Sequence, residues 1–402
     1  MKANRISVVH FSNECVRGGA EEHMLTLLRG LDRELFCLHL ACTPELARLM
    51  KHDLPDDVEV FPLKLNKPWQ IRSAMELAAI IRKRQIEVLH SHLFYASLFA
   101  SPVGWICGVP VVVETPHVRE VWRRGLKSRY TIDRLVGHCV THYIAVSEAN
   151  GRYLTEEKRL PRSKVHVIHN GSDLKRFHGL SSNRAELKTA MGFRREEPVL
   201  LVAGRIEPQK GHSVLLDALP LVRRRFPNVR AVFAGQGSLL QQLQQQVTGL
   251  GLQGAVDFVG FQSNIEQWFS IADITVLPSF YEGLPLVAIE SQAAGTPLVA
   301  SAVDGTPEIV INEETGLTVA PGNSSALAEA ICKLLEDPLL RQQYGSAGRS
   351  LVFQKFSQEQ QIRKTEQIYL SSRELVHTRR FGGIAAALDR DARDAQLAEK
   401  AV

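Results

Sequence analysis

The sequence predicts an α/β protein with two doubly wound parallel-sheet domains that face each other across a cleft. Short apolar, β-branched runs alternate with helical patterns, and this alternation stops at a polar segment, 173–196, before it restarts. Apolar strands that alternate with helices are typical of parallel sheets covered on both faces. The length of 402 residues, with 45% hydrophobic and 23% charged, suits two globular domains.

The first series of strands defines an amino-terminal domain, predicted to span residues 1–176. Helical segments, including 20–31 and 68–85, separate most of the strands, which we place at 5–11, 35–41, 58–63, 86–91, 110–115, 142–147 and 164–170. Residues 93–113 carry no charge and are long enough to cross a bilayer. Their prolines and glycines favour instead a buried helix, a turn and a strand.

The second series defines a carboxy-terminal domain, predicted to span residues 177–356. We place its helices at 211–226 and 326–337, and its strands at 197–205, 229–237, 255–261, 273–279 and 296–301. Residues 357–376 follow as one amphipathic helix. The tail, 377–402, is Ala-rich and charged, and we assign it no chemistry.

Cysteine usage and charge limit the compartment and the partners. The six cysteines form no CxxC pair and no metal-ligand spacing, and the first residues lack a secretory h-region, so we expect a cytoplasmic protein with free thiols. The net charge is +5, and residues 1–176 carry +7 because 26 Lys and Arg face 19 Asp and Glu. This indicates an acidic partner, such as anionic lipid, a phosphorylated acceptor or nucleic acid, or else an uninformative surface imbalance.

Two glutamates mark the two ends of an uncharged run, residues 279–301. Glu282 precedes the predicted helix and Glu290 lies about six residues inside it, so the two carboxylates are about 9 Å apart along the axis. The unpaired N–H groups of Leu286 and Val287 lie between them and form an anion site. A nucleotide sugar matches this arrangement, because its diphosphate lies between the ribose diol at one end and the hexose hydroxyls at the other. The alternative is a capping Glu282 and a surface Glu290.

Two cations follow the first strand of the same predicted sheet. Arg205 lies just past the strand end, and Lys210 comes five residues later, before a helix. They would neutralise a diphosphate at the carboxyl edge of the sheet, although such a pair alone is usually solvated surface.

The amino-terminal domain supplies two further candidates at its own strand ends. Gly18 and Gly19 open the first helix and allow backbone to approach a phosphate or an acceptor closely. His117 follows the strand at 110–115, where it would bond a sugar hydroxyl or the reacting oxygen. Because the glycine turn is not GxGxxG and no acidic residue ends the second strand, a dinucleotide oxidoreductase is disfavoured. The basic stretch 118–130 fits either an anionic membrane surface or a solvated loop.

These motifs, taken in order, resemble those of the retaining glycosyltransferases of family 4, which have the GT-B fold. The resemblance covers about residues 5 to 370 and rests on the segments GGAEEHMLTLL, TPH, IAVSEA, VIHNGSDLKRF, AGRIEPQKG, VFAGQGS, VDFVGF, ADITVLPSFYEGLPLVAIESQAAGTPLVAS and GTPEIV. It implies a nucleotide-sugar donor, a glycan or lipid-linked acceptor and no nucleic-acid partner. An epimerase of the same fold and a non-catalytic sugar-nucleotide-binding protein remain as alternatives.

The resemblance also implies roles for individual residues. It places Glu282 on the hydroxyls of the donor sugar and Glu290 on the ribose. It assigns Arg205 and Lys210 to the diphosphate, His117 to a position beside the sugar, and the turn of Gly18 and Gly19 to the donor phosphate and the acceptor. It further implies that 357–376 crosses back onto the amino-terminal domain.

One departure from the family pattern changes the phosphate contacts. Many members have EGFG where this chain has EGLP, and Pro285 supplies no N–H. We therefore expect the contacts to fall on Gly283, Leu284, Leu286 and Val287, and the base to meet backbone near 260–264. We expect no metal and no cofactor, because the DRD run at 389–391 lies in the tail.

Overall fold

The computed structural model describes residues 5–120, 130–179 and 184–372. Within them the amino-terminal sheet has the strand order β3-β2-β1-β4-β5-β6-β7. Its strands are β1 (Ile6–Ser12), β2 (Phe36–Cys42), β3 (Glu59–Pro62), β4 (Val88–His92), β5 (Val111–Thr115), β6 (His142–Ala145) and β7 (Val165–Val167). Its helices are α1 (Gly19–Gly30), α2 (Pro44–Met50), α3 (Ile71–Lys83), α4 (Phe94–Ile106), α5 (Thr131–Val136) and α6 (Glu148–Arg152).

The carboxy-terminal sheet has the strand order β10-β9-β8-β11-β12-β13. Its strands are β8 (Val199–Ala203), β9 (Arg230–Ala234), β10 (Val256–Phe258), β11 (Ile274–Leu277), β12 (Leu298–Ser301) and β13 (Gly316–Val319). The helices are α7 (Arg184–Ala190), α8 (His212–Arg225), α9 (Leu240–Gly249), α10 (Ile265–Ile271), α11 (Leu286–Ala293), α12 (Ser324–Glu336) and α13 (Pro338–Lys355). A last helix, α14, spans 358–372.

Each parallel sheet is covered on both faces, as the apolar strand pattern predicts. Successive strand residues point to opposite faces. In β8, Leu200 accordingly packs in the same cluster as Leu216 of α8, whereas Leu201 packs with Ile289 of α11. The predicted class, two doubly wound parallel-sheet domains facing across a cleft, is confirmed.

The strand order fixes where ligands are expected to bind. The direction of chain progression reverses beside β1, which pairs with β2 and β4, and beside β8, which pairs with β9 and β11. Ligands of open α/β sheets bind outside the carboxyl ends of strands at such switch points. The loops after β1, β8 and β11 carry Gly18, Arg205 and Glu282, respectively.

The helix α14 returns to the amino-terminal sheet. Tyr369 is fully buried, its ring lies 5.9 Å from that of Phe36, and its hydroxyl lies 2.6 Å from Nδ1 of His90. The domain limits at 176 and 356 stay predictions, and residues 373–402 lie outside the described part of the chain.

The long uncharged run at 93–113 is a helix, a turn and a strand. The helix α4 ends at Ile106, Gly108 adopts a φ of +73°, and β5 begins at Val111. Among the described residues no helix is long and apolar enough to cross a membrane. Most of the basic stretch 118–130, namely 121–129, lies outside those residues.

Candidate active site

The side chain of Glu282 is held in the loop between β11 and α11. Its Oε1 accepts hydrogen bonds from Lys210 Nζ at 2.6 Å and from Ser279 Oγ at 2.7 Å. Its backbone N–H donates to Asp304 Oδ2 at 2.9 Å. Only 5% of Glu282 is exposed. The carboxylate is therefore fixed in position without any ligand.

The two predicted cations both lie at the carboxyl end of β8. Gly204 adopts a φ of +136°, which turns the chain and leaves Arg205 exposed. Lys210 ends the turn Pro208–Lys210, and Gly211 follows with a φ of +63°. A side chain at position 211 would collide with the carbonyl oxygen of Pro278, so glycine permits the close approach that brings Lys210 to Glu282.

Arg205 reaches the other domain. A Cβ atom at position 18 would lie 3.3 Å from Arg205 Nε, so the guanidinium lies against the backbone of Gly18. Gly18 precedes α1, which begins at Gly19, and its N–H donates to Glu21 Oε2 at 3.0 Å. The glycine turn and the predicted phosphate-binding arginine are thus brought together.

His117 lies opposite the Glu282 loop, in a strained backbone conformation. It follows β5 with a φ of +61°, a region that non-glycine residues adopt chiefly where the surroundings enforce it. A side chain at Gly283 would collide with the carbonyl oxygen of His117, so the two domains meet backbone to backbone here. Burial holds the pKa of the His117 imidazole well below its usual value, with His23 adding to the effect.

Glu290 is the fifth residue of α11, because the helix begins at Leu286. It is half-buried and accepts a hydrogen bond from Ser172 Oγ at 3.2 Å. Burial raises the pKa of its carboxyl to about 7, against the opposing effect of nearby Arg176. Glu290 is therefore not the freely solvated glutamate of the alternative interpretation.

Several residues around the site escaped the sequence analysis. Asn170 donates through Nδ2 to the carbonyl oxygen of Leu284 at 3.1 Å, and it follows a strand that ends at Val167 rather than at 170. Asp304 adopts a φ of +43° beside Glu282. The signal available for Asn170 was the polar run HNGSD after an apolar strand, whereas Ser279 and Asp304 carry no pattern that marks them.

A cavity of about 330 Å³ opens beside Glu282, between the two domains. Its lining includes Arg119, Ala149, Asn150, Arg152, Tyr153, Glu156, Glu157, Glu282 and Asp304. Arg119 is paired with Glu157. The cavity thus borders a charged wall of the amino-terminal domain on one side and the predicted sugar-binding glutamate on the other.

The chain matches known families along most of its length. Residues 17–176 match the family described as Glycosyltransferase Family 4, and residues 183–351 match the one described as Glycosyl transferases group 1. A glycogen synthase of Mycobacterium tuberculosis is 31% identical over 296 residues, which are 71% of this chain and 69% of that protein. The chain belongs to glycosyltransferase family 4. The resemblance found in the motifs is thereby confirmed.

Another relative and a solved structure match over both domains. The UDP-Gal:alpha-D-GlcNAc-diphosphoundecaprenol alpha-1,3-galactosyltransferase of Escherichia coli is 25% identical over 350 residues, 84% of this chain and 90% of that protein. The structure of Alr3699/HepE from Anabaena with UDP and glucose superposes with a TM-score of 0.80 at 22% identity, over 91% of this chain and all of that one. The fold is therefore GT-B, and this family-4 protein is a glycosyltransferase.

Proposed function

We propose that this glycosyltransferase retains the anomeric configuration and moves a hexosyl group from a nucleotide sugar to a glycan or lipid-linked acceptor. The observation that carries the proposal is the pair of Lys210 and Glu282 at the cleft, with Arg205 lying against Gly18 on the other side. A sugar-binding acid and two diphosphate-binding cations converge there from loops that follow two adjacent strands.

The donor lies lengthwise along this cleft. Glu282 accepts hydrogen bonds from the sugar hydroxyls, while Arg205 and Lys210 bind the diphosphate. The N–H groups of Gly283, Leu284, Leu286 and Val287 add donors at the positive end of α11. Glu290 accepts from the ribose diol, and backbone near 260–264 meets the base. A uridine nucleotide is favoured, since the Anabaena structure contains UDP and the Escherichia coli relative is named for UDP-Gal.

The leaving diphosphate is stabilised by the protein itself. Fixed charges aimed at a leaving group in a partly buried site supply a large share of catalysis. Glu282 is a poor nucleophile, because its Oε1 already accepts from Lys210 and Ser279. We therefore favour front-side attack, in which the C1–O bond to the diphosphate breaks as the acceptor oxygen bonds to C1. The donor phosphate takes the acceptor proton, and no metal is needed.

The cavity beside Glu282 is the proposed acceptor site. Its lining holds four carboxylates against two guanidinium groups, and Arg119 is paired with Glu157, so its polar walls suit the hydroxyls of an acceptor sugar better than an anionic group. A sugar on a diphosphate-linked lipid is favoured as the acceptor because the Escherichia coli relative is named for one. Such an acceptor supports a role in cell-surface polysaccharide or lipopolysaccharide synthesis at the inner face of the membrane, and we propose the basic stretch 118–130 as a contact to anionic lipid.

A screen of donors followed by product analysis tests the proposal. UDP- and GDP-sugars are compared by thermal unfolding, where a ligand at 100 times its Kd adds about 2.7 kcal/mol of stability. The stabilising donor is then incubated with a lipid-linked diphosphate sugar, and the anomer formed is read by NMR. We expect transfer with retention. An inverted product contradicts the mechanism, donor isomerisation without acceptor indicates an epimerase, and binding without turnover indicates a non-catalytic protein.

A further inference from the structure

Buried histidines cluster where the two domains meet. They come from the strands β1 and β4, from α1 and from the loop after β5, and all are at most 5% exposed: His10, His23, His90, His92 and His117. The ring of His92 lies between 4.3 and 5.7 Å from the rings of the other four. Such a concentration of imidazoles exceeds what the sugar chemistry above uses, since that involves His117 alone.

We infer that His23, His92 and His117 form a binding site for a divalent transition-metal ion of the Zn²⁺ type. Each offers one ring nitrogen, and the three nitrogens lie within 4.8 Å of one another. His92 Nδ1 and His117 Nε2 are 3.2 Å apart. Two nitrogens on one tetrahedral Zn²⁺, each bound at 2.0–2.1 Å, are about 3.3 Å apart. Neutral imidazole is a preferred ligand of Zn²⁺, Co²⁺, Ni²⁺ and Cu²⁺.

His23 already presents a nitrogen without a partner. Its Nδ1 lies 2.8 Å from Asn170 Oδ1, and the amide is oriented because its Nδ2 donates to Leu284. Gln361 Nε2 lies 3.1 Å from the same ring nitrogen, so the shorter contact is the one to Asn170. In the resulting tautomer Nδ1 donates and Nε2 carries the lone pair. Nε2 is buried and has no hydrogen-bond partner, which is costly unless a ligand takes it.

The neighbours of His92 also resemble those of a metal ligand. A metal-bound histidine usually donates its other ring N–H to an acceptor that fixes the tautomer. His92 Nε2 lies 3.0 Å from His10 Nδ1, so it donates there and leaves Nδ1 for the metal. In the metal-free state one proton lies between His92 Nδ1 and His117 Nε2. Metal binding needs His117 in the tautomer with its proton on Nδ1, so this proton moves to the other ring nitrogen and the imidazoles stay neutral.

A second group, His10, His90 and His92, has its nitrogens equally close together. It is the weaker site, because both nitrogens of His90 are engaged, Nδ1 with Tyr369 at 2.6 Å and Nε2 with Thr115 at 2.7 Å. A metal there would have to break one of these two contacts. Its role is therefore to support His92.

The site has a consequence for activity that rests on the proposed function. The ion takes Nε2 of His117, the residue assigned to the donor sugar, and it adds positive charge next to the sugar. Transfer itself needs no metal, so bound metal opposes turnover. The expected behaviour is full activity in metal-free enzyme and inhibition by micromolar Zn²⁺ that chelator reverses.

Direct metal binding to the full chain, stripped with chelator, tests the inference. We expect one Co²⁺ per chain, with the intense visible absorption of a tetrahedral ion, and displacement of Co²⁺ by Zn²⁺. In protein with ¹⁵N-labelled histidine, Zn²⁺ should shift Nε2 of His23 and His117 and Nδ1 of His92. Wild-type protein that stays folded, binds no Co²⁺ and shows none of these shifts overturns the inference without any variant.

Variants then assign the ligands. His23→Gln should weaken Co²⁺ binding by at least about 100-fold, and Asn170→Ala, which removes the supporting contact, by about 10- to 100-fold. His212→Gln is the matched control, since His212 is equally buried and both its nitrogens lack partners, but it lies in α8. The pair His142 and His166, with nitrogens 3.0 Å apart, is the competing site.

The variant results separate this inference from the proposed function. Unchanged Co²⁺ binding in His23→Gln, with loss in His142→Gln, means adventitious binding at the competing pair and overturns the inference. Donor binding is measured on the same preparations by thermal shift. If Co²⁺ binds and the donor does not, only the proposed function is contradicted. If the donor binds and Co²⁺ does not, only the metal site is contradicted.

Discussion

Lys210 Nζ lies 2.6 Å from Oε1 of Glu282, and this ion pair joins the loop after β8 to the loop after β11. The two loops are far apart in sequence, and each supplies the contact that holds the charged side chain of the other in the cleft. In the ligand-free protein the two charges neutralise each other. The ion pair holds both side chains in position before the donor binds. A donor that places hydroxyls on Glu282 and phosphate oxygens on Lys210 then replaces this contact with two others.

Removal of Lys210 should affect turnover more than folding. We expect Lys210→Ala, and likewise Arg205→Ala, to lower kcat by at least about 10²-fold, the scale for losing one donor to a developing anion. The measurement is initial-rate kinetics with the donor found in the screen. Lys333→Ala is the matched control, because Lys333 pairs with Glu313 on the exposed surface at 3.1 Å. Activity near that of wild type in either cleft variant would falsify the leaving-group assignment.

Donor binding should depend on pH through Glu290. Its carboxyl pKa of about 7 is raised by burial, and the ionised form accepts hydrogen bonds from a ribose diol best. Between pH 8 and pH 6 the ionised fraction falls, so we expect the Kd for UDP to rise by up to about 10-fold. Calorimetry in buffers of different ionisation enthalpy should show protons released on binding at pH 6.

Two further observations test the Glu290 assignment. Glu290→Gln should bind UDP more weakly and with little pH dependence, so a variant with the wild-type pH profile contradicts the assignment. The pH dependence of the protein's own stability gives an independent test. The pKa of the Glu290 carboxyl in the folded protein lies above the ordinary 4.5, so ionisation is disfavoured in the native state. This carboxyl therefore lowers the free energy of unfolding as pH rises from about 4.5 to 7.

Gly283 is expected to control how closely the domains approach each other. A Cβ atom there would collide with the carbonyl oxygen of His117 and lie 3.2 Å from Val146 Cγ2. We therefore expect Gly283→Ala to cost about 1–3 kcal/mol in unfolding free energy, as overpacking does, and to lower kcat. Gly249→Ala is the control, since its Cβ would meet nothing within 4 Å. Equal stability and activity for the two variants argue against this contact.

A buried charge network next to the His117 segment makes a separate prediction about stability. Lys158 is 1% exposed and lies 2.9 Å from Glu120 and 2.7 Å from Asp133. Lys158→Met removes a buried cation that contacts both carboxylates, so we expect a loss of about 3–5 kcal/mol in the free energy of denaturant unfolding. Lys175→Met, which removes an exposed pair with Glu359, should leave the unfolding midpoint unchanged. Wild-type stability of Lys158→Met would show that the network contributes nothing.

Transfer is expected to be independent of added metal. Because Arg205, Lys210 and the end of α11 neutralise the leaving group, EDTA should not lower the initial rate. The rate is measured before and after dialysis against chelator, with metal content determined in parallel. Abolition by EDTA and restoration by Mg²⁺ or Mn²⁺ contradict this mechanism.

Most of the fold follows from the sequence because each buried strand is a local apolar run. Two features of the strands were predicted incorrectly, each for a physical reason. The strand β13, Gly316–Val319, was missed because a short segment with Gly and Thr has little strand pattern of its own, and pairing with β12 decides it. The predicted strand 197–205 ends at Ala203, because Gly204 takes a positive φ. The residue at which a strand ends depends on contacts with the neighbouring loop.

The candidate site was only partly accessible from the sequence. Glu282, Arg205, Lys210 and His117 were found because each follows a strand end, and in parallel sheets those ends share one edge. Asp304 and Ser279 were missed, since their contacts to Glu282 depend on how three loops fold together. The histidine cluster was missed for the same reason: His10 and His90 each lie in a predicted strand, and only the parallel pairing of β1 and β4 makes them neighbours.

A crystal structure of the protein with UDP bound tests the central claim most directly. The account predicts diphosphate oxygens within about 3.2 Å of Lys210 Nζ and the Arg205 guanidinium, the ribose diol on Glu290, and the contact from Lys210 to Glu282 lengthened or shared with phosphate. A nucleotide bound elsewhere, or a diphosphate that contacts neither cation, contradicts it.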